Sequence, residues 1–317
     1  MPSPEMREAM ARAELGDDAF GDDPTTNRLM EVAAARMGKE AALFVPSGTM
    51  GNLVGIGVNT HRGEELIADA DSHAFYYETA GAAAVCGVQI RPVATEAGVM
   101  SPQQIAGAVR PRDDPHQPIT AAVAFENTHN RHGGIVWPLA DLRAASDAAR
   151  AHGLRVHLDG ARIFNAAVAL GVEAAEIAAC ADTVTFCLSK GLACPIGSIF
   201  CGSRDDVEEA RRWRKRLGGG MRQVGVLAAA GLIALDTMVD RLAELPGVKC
   251  DLRRVQTNLV FFELHRMTGA AFAAECAQRG LLSDWMGPQR MRFVTHYGID
   301  AEDIQSALQI CEEVLTA

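Results

Sequence analysis

From about residue 24 onward, short apolar runs of strand length alternate with helical patterns, and that alternation restricts the fold more than any other feature of the chain. Runs at 41–45, 65–68, 119–125, 154–158 and 183–187 read as buried strands. Between them, 48–59, 74–85, 101–109, 139–151 and 161–170 read as helices. Asp23-Pro24 opens an earlier helix as a cap followed by proline at the first helical position, and Gly38 stops it. Strands joined through helices pair in parallel and are covered on both faces, so the expected class is α/β with a mainly parallel sheet. Ligands of such sheets sit beyond the carboxyl ends of the strands. A long apolar helix is expected over 224–239. Beyond Pro246 the pattern changes, with strands at 247–252, 259–264 and 291–295 and helices at 269–278 and 301–315. The expected organisation is a large domain over 1–240, its first 23 residues an arm, and a small C-terminal α/β domain over 241–317.

The chain has 317 residues, 48% hydrophobic and 22% charged, which suits an ordinary globular protein with a substantial core. Its net charge of −10 argues against a nucleic-acid or anionic-membrane surface and for simple solubility. No apolar run approaches the roughly 20 residues of a membrane span. Met1-Pro2-Ser3-Pro4-Glu5 lacks the basic and apolar regions of a signal peptide, so a cytoplasmic location is expected. The eight cysteines contain no CxxC pair and read as reduced, mostly buried thiols. No metal is called for.

Two residues at strand ends carry a specific chemistry together. Lys190 follows the run Phe186-Cys187-Leu188-Ser189, and Asp159 closes the strand before Gly160-Ala161-Arg162. A lysine in a polar turn can form a Schiff base with the aldehyde of pyridoxal phosphate (PLP). A carboxylate at an earlier strand end can hold the pyridine nitrogen protonated, so that the ring accepts electrons.

Other residues fall at the same ends. Ser47-Gly48-Thr49 follows one strand and opens a helix, where free N–H groups and the helix dipole favour a phosphate; a tight turn that binds nothing is the other reading. His73 follows the next strand, either as a ring-stacking group or base, or as an incidental residue of a helix cap. Glu126-Asn127-Thr128-His129-Asn130 is a polar stretch at a third strand end, an active-site loop or a surface turn. Arg162, three residues past Asp159, can grip a planar carboxylate with its fork. Arg292, flanked by apolar residues, needs a partner, either a structural ion pair or a substrate carboxylate. The basic run Arg211-Arg212-Trp213-Arg214-Lys215-Arg216 precedes Gly218-Gly219-Gly220-Met221-Arg222-Gln223. It reads as a solvated helix face or as backbone approaching an anion.

These stretches, together with Gly16-Asp17-Asp18 and Gly21-Asp22-Asp23-Pro24-Thr25, resemble in order those of the low-specificity L-threonine aldolases. That family belongs to the aspartate aminotransferase-like, fold type I PLP enzymes. The resemblance runs from about residue 5 to the end, and departs from the family pattern in two places. The chain starts after the family's short first strand, which resembles Asp-Leu-Arg-Ser-Asp-Thr-Val-Thr. It also runs from Asp240-Arg241-Leu242-Ala243-Glu244 straight into Leu245-Pro246-Gly247, where the family has an additional helical stretch.

The resemblance implies that Lys190 anchors PLP, Asp159 pairs with the pyridine nitrogen, Gly48 and Thr49 hold the phosphate, and His73 stacks on the ring. It implies that Arg162 and Arg292 bind the substrate carboxylate. Lys215 and Arg222 would reach the phosphate from a neighbouring subunit of a homo-oligomer, expected to be a tetramer built as a dimer of dimers. The implied reaction is reversible cleavage of L-threonine or L-allo-threonine to glycine and an aldehyde, with His73 or His129 as the base. The alternatives are another fold type I lyase or racemase, or a PLP-binding homologue with impaired catalysis.

Overall fold

The computed structural model describes residues 1–239, 256–265 and 267–316. Two compact units divide the chain, Met1–Pro246 and Gly247–Ala317.

In the first unit seven strands form one sheet: β1 (Ala41–Val45), β2 (Glu65–Asp69), β3 (Gln89–Val93), β4 (Thr120–Glu126), β5 (Arg155–Asp159), β6 (Thr183–Cys187) and β7 (Ser198–Gly202). Their order is β1-β7-β6-β5-β4-β2-β3. Strands β3, β2, β4, β5 and β6 run parallel, while β7 lies antiparallel between β6 and β1. β1 therefore points the same way as β6, and the carboxyl ends of β1, β2, β4, β5 and β6 share one edge of the sheet. The parallel α/β expectation holds.

The helices of this unit include α1 (Pro4–Ala11), α2 (Pro24–Met37) and α3 (Gly48–Asn59). The Asp23 side chain caps α2, and Gly38 closes it in the left-handed region at φ +59°. α3 lies close to the sheet because its inner face is glycine. A Cβ at Gly51 would run into Thr185, and one at Gly55 into the His157 ring.

Two expectations need correction. The stretch 74–85 is not one helix: α4 (His73–Tyr76) ends after one turn, and a π-helix follows at Ala82–Cys86. Between them Thr79 and Ala80 take φ of +53° and +56°, which breaks the ladder and leaves Glu78 facing inward and buried. Tertiary burial of that carboxyl overrides the helix propensity of an alanine-rich run. The apolar helix expected over 224–239 likewise consists of an α-helix, Gly225–Ile233, and a π-helical turn, Ala234–Met238. Strands β3 and β7 were not among the expected runs. β3 is an edge strand carrying Pro92, and its mixed sequence lacks a buried run.

The second unit holds a three-stranded antiparallel sheet, with Arg290–Val294 between Leu259–Glu263 and Asp284–Trp285. Helices Gly269–Gln278 and Ala301–Thr316 follow the expected positions. Leu264, Phe272, Cys276 and Met291 form its core. The strand expected at 247–252 lies outside the described residues.

Candidate active site

The sheet brings Gly48, Thr49, His73, Asp159, Arg162 and Lys190 to one edge. Ser47 caps α3 through its side chain to the Met50 N–H, and the first main-chain bond of the helix runs from Gly51 N–H to Ser47 O at 3.0 Å. The N–H groups of Gly48 and Thr49 precede that bond, at the positive end of the helix dipole. A Cβ at Gly48 would stand 2.9 Å from Cys187 Sγ, so the start of α3 lies against the end of β6, three residues before Lys190. Lys190 itself is half-buried in the turn after β6.

Asp159 ends β5 and is buried. Its Oδ1 accepts the Ala161 N–H at 3.1 Å, and its Oδ2 accepts Asn52 Nδ2–H at 2.8 Å. Burial opposes ionisation of this carboxyl. The charges of Lys190 and His73, with the Asn52 hydrogen bond, outweigh it and hold the pKa below the ordinary 3.8. Two residues earlier in β5, burial drives His157 down to about 4, so that ring is neutral; its Nδ1 lies 2.9 Å from Thr183 Oγ1.

Asn52 Nδ2 also donates to Glu78 Oε1 at 2.7 Å, and the same oxygen lies 2.8 Å from His73 Nδ1. His73 is thereby fixed at the head of α4, where its own N–H donates to Glu126 Oε2 at 2.7 Å. The Glu78 hydrogen bond raises the His73 pKa above 6.5 against the opposing effect of burial, and the Asp159 charge adds to it. Burial pushes Glu78 upward as well, against its bonds to His73 and Asn52. Neither Asn52 nor Glu78 was assigned a role from the sequence. Asn52 stood inside the quoted Ser47–Asn52 stretch, and Glu78 was hidden by the single-helix reading of 74–85; an acid inside an alanine-rich run was the available signal.

His129 lies elsewhere. It is fully buried, with Nε2 3.2 Å from Asp69 Oδ1, and its ring stands 4.6 Å from that of His132. Arg162 occupies the N-cap position of the helix Ile163–Leu170, beside Asp159 in sequence. Arg292 lies in the second unit and pairs with Asp284 at 2.8 Å. Within one chain, Lys215 is exposed and Arg222 pairs with Asp17 at 2.7 Å. The basic run divides: Arg214 is buried against Asp18 at 2.7 Å and donates to Phe44 O at 2.9 Å, while most of its neighbours face solvent. Gly218, at φ +77°, closes that helix, and a Cβ on Gly219 would collide with Met50.

The residues fit PLP on two observations. An ionised, buried carboxylate at a strand end is the partner a pyridinium nitrogen requires, and the open N–H groups of Gly48 and Thr49 suit a phosphate. The buried Asn52 Oδ1 and Glu78 Oε2 have no hydrogen-bond partner among the described residues.

Comparison with known proteins shows the family. Residues 1–268 match the family model described as "Beta-eliminating lyase". The chain is 41% identical to the low specificity L-threonine aldolase of Escherichia coli (strain K12), covering 96% of this chain and 93% of the relative. It is 38% identical to low-specificity L-threonine aldolase 1 of Arabidopsis thaliana, over 99% and 93% of the two chains. The solved threonine aldolase of Leishmania major superposes with a TM-score of 0.81 at 19% identity, covering 99% of this chain and 96% of that one. The chain belongs to the β-eliminating lyase family and, within it, to the low-specificity L-threonine aldolases.

Proposed function

We propose that this chain cleaves L-threonine and L-allo-threonine to glycine and acetaldehyde with PLP as cofactor. The observation that carries the reading is the buried Asp159 carboxylate at the end of β5, which accepts Asn52 Nδ2–H at 2.8 Å on the same sheet edge as His73 and Lys190. When bound, PLP supplies an electron sink for the pair released as the Cα–Cβ bond breaks. Lys190 anchors the cofactor through its amine, and Asp159 keeps the positive charge on the ring nitrogen. Gly48 and Thr49 hold the phosphate at the start of α3.

His73 takes the proton from the substrate β-hydroxyl. Its side chain is 26% exposed and close enough to Lys190 to feel its charge, whereas His129 is completely buried against Asp69. Glu78 binds Nδ1, which raises the pKa of the ring above 6.5, and leaves Nε2 for the exchange. Arg162 binds the substrate carboxylate with its fork. For Arg292 the same role rests on the family resemblance.

We further propose a cytoplasmic homotetramer. The seven described cysteines are all free thiols, which suits a reducing compartment. Lys215 is exposed, and Arg222 is exposed although paired with Asp17, which suits contact with a neighbouring subunit's phosphate. Light scattering on the PLP-loaded protein checks the assembly: a tetramer is expected, and a monomer would remove the shared-site reading. For the activity, aldehyde release is measured with L-threonine, L-allo-threonine and both D forms, with PLP supplied. Acetaldehyde from the L forms is expected; none from any form would leave a PLP-binding homologue without this reaction.

A further inference from the structure

Beside the cofactor pocket, three donor atoms from two strand ends converge with no role in the reaction above. Asp69 ends β2, and His129 and His132 lie in the loop after β4. Asp69 Oδ1 stands 3.2 Å from His129 Nε2 and 3.7 Å from His132 Nε2, and all three lie within 4.8 Å of one another. Donors bound to one tetrahedral zinc at the usual bond lengths stand about 3.3–3.5 Å apart, and the two separations from Asp69 bracket that spacing. Asp71 Oδ2, on the more exposed rim, lies 3.6 Å from His132 Nε2 while its Oδ1 pairs with Arg131 Nε at 2.9 Å, so this carboxylate borders the three-residue cluster rather than joining it.

The surroundings are those of a built site. His129 is completely buried, and His132 Nε2 is buried with no hydrogen-bond partner among the described residues. Asp69 is oriented from outside the cluster: its Oδ2 accepts Thr95 Oγ1–H at 2.5 Å and its Oδ1 the Asp71 N–H at 2.8 Å. Such outer bonds aim first ligands at a metal. Gly98, at φ +75°, passes so close to both imidazoles that a Cβ would stand 2.5 Å from His129 Cδ2 and 3.0 Å from His132 Cδ2. Two imidazoles with one carboxylate make a mixed nitrogen and oxygen set that suits zinc or cobalt rather than magnesium or calcium.

We propose that Asp69, His129 and His132, with water in the fourth position, form a divalent transition-metal site that fastens the loop after β4 to the end of β2. The bound ion has a structural role. Glu126 Oε2, which accepts the His73 N–H at 2.7 Å, stands 3.9 Å from His129 Nε2, so the fastened loop is the one that holds His73.

The PLP-loaded protein, stripped with chelator and dialysed, is titrated with zinc chloride by calorimetry. The expected result is one equivalent bound per chain, weakened at least tenfold in His132→Asn and retained in His132→Cys, which restores a ligand. The cofactor's visible band, read in parallel, shows that the variants are folded and loaded. Cobalt(II) added to the unmutated protein gives a second readout independent of any variant. Intense d–d absorption without thiolate charge transfer is expected of this four-coordinate site. Zinc binding no tighter in the unmutated protein than in His132→Asn overturns the proposal, as does cobalt absorption carrying thiolate bands, which would place the ion on a cysteine.

Discussion

Glu78 Oε1 lies 2.8 Å from His73 Nδ1 although the two residues belong to separate structural pieces, one in the short α4 and one past its end. The contact exists because the chain breaks out of helix after Tyr77, and it defines which ring nitrogen is left for the substrate. Glu78→Gln removes the largest cause of the raised His73 pKa. The neutral ring is the base, so kcat/KM rises with pH through that pKa. The variant should therefore shift the acidic limb of the pH profile to lower pH. An unmoved limb would separate His73 from the titration that controls turnover.

The two histidines should behave differently. His73→Asn is expected to lower kcat by about 10²–10⁴, the usual contribution of a positioned base. His129→Asn should stay within about tenfold of the parent while lowering thermal stability, since it removes a buried partner of Asp69. Aldehyde release under one assay, with melting temperature alongside, distinguishes these outcomes; the reverse ranking would transfer the base to His129.

Asp159→Asn keeps the shape of the side chain and loses the charge facing the ring nitrogen. Cofactor binding should persist while kcat falls by about 10²–10³, the scale of removing one preorganised electrostatic contact. Cofactor titration and steady-state kinetics on the same preparation test this. A variant with near-normal kcat would mean that some other group holds the ring protonated.

Arg214 and Asp18 form a buried ion pair that ties the arm before α2 to the basic helix and β1. Arg214→Ala strands the Asp18 carboxylate and should cost about 3–5 kcal/mol in urea unfolding. A loss below 1 kcal/mol would show that water reaches Asp18.

Asp23 supplies an acid-sensitive anchor. Its carboxylate accepts N–H groups of Thr26, Gly16 and Gly225, and these bonds, against the opposing effect of burial, keep its pKa below 3.8 in the folded chain. A depressed folded pKa stabilises at pH above the unfolded value and loses that contribution as pH falls through the folded one. Asp23→Asn should therefore be less stable by about 1–3 kcal/mol near neutral pH. The difference from the parent should shrink as pH drops below about 4. A gap that stays constant to acid pH would contradict the linkage.

The sequence made the strand-end residues legible because each followed a buried run that period alone identifies. Lys190, Asp159 and the Gly48-Thr49 turn needed only the parallel-sheet rule to be placed together. Asn52 and Glu78 were hidden for a different reason. Their meeting depends on the backbone reversal at Thr79 and Ala80, non-glycine residues in a left-handed conformation that no local preference announces. Asp69, His129 and His132 were hidden because their convergence joins two loops about 60 positions apart. Arg214 gave a misleading signal. In the sequence it belongs to a solvated charge run, and only the arm carrying Asp18 turns it inward.

The central claim, that Lys190 and Asp159 form the anchor of a PLP-dependent aldol cleavage, is tested most directly with Lys190→Ala. Purified with PLP, the parent should show the visible absorbance of lysine-bound cofactor and release acetaldehyde from L-threonine. The variant should lose the band and the activity while keeping its fold by circular dichroism. A folded Lys190→Ala protein that kept the band or continued to release acetaldehyde would contradict the account.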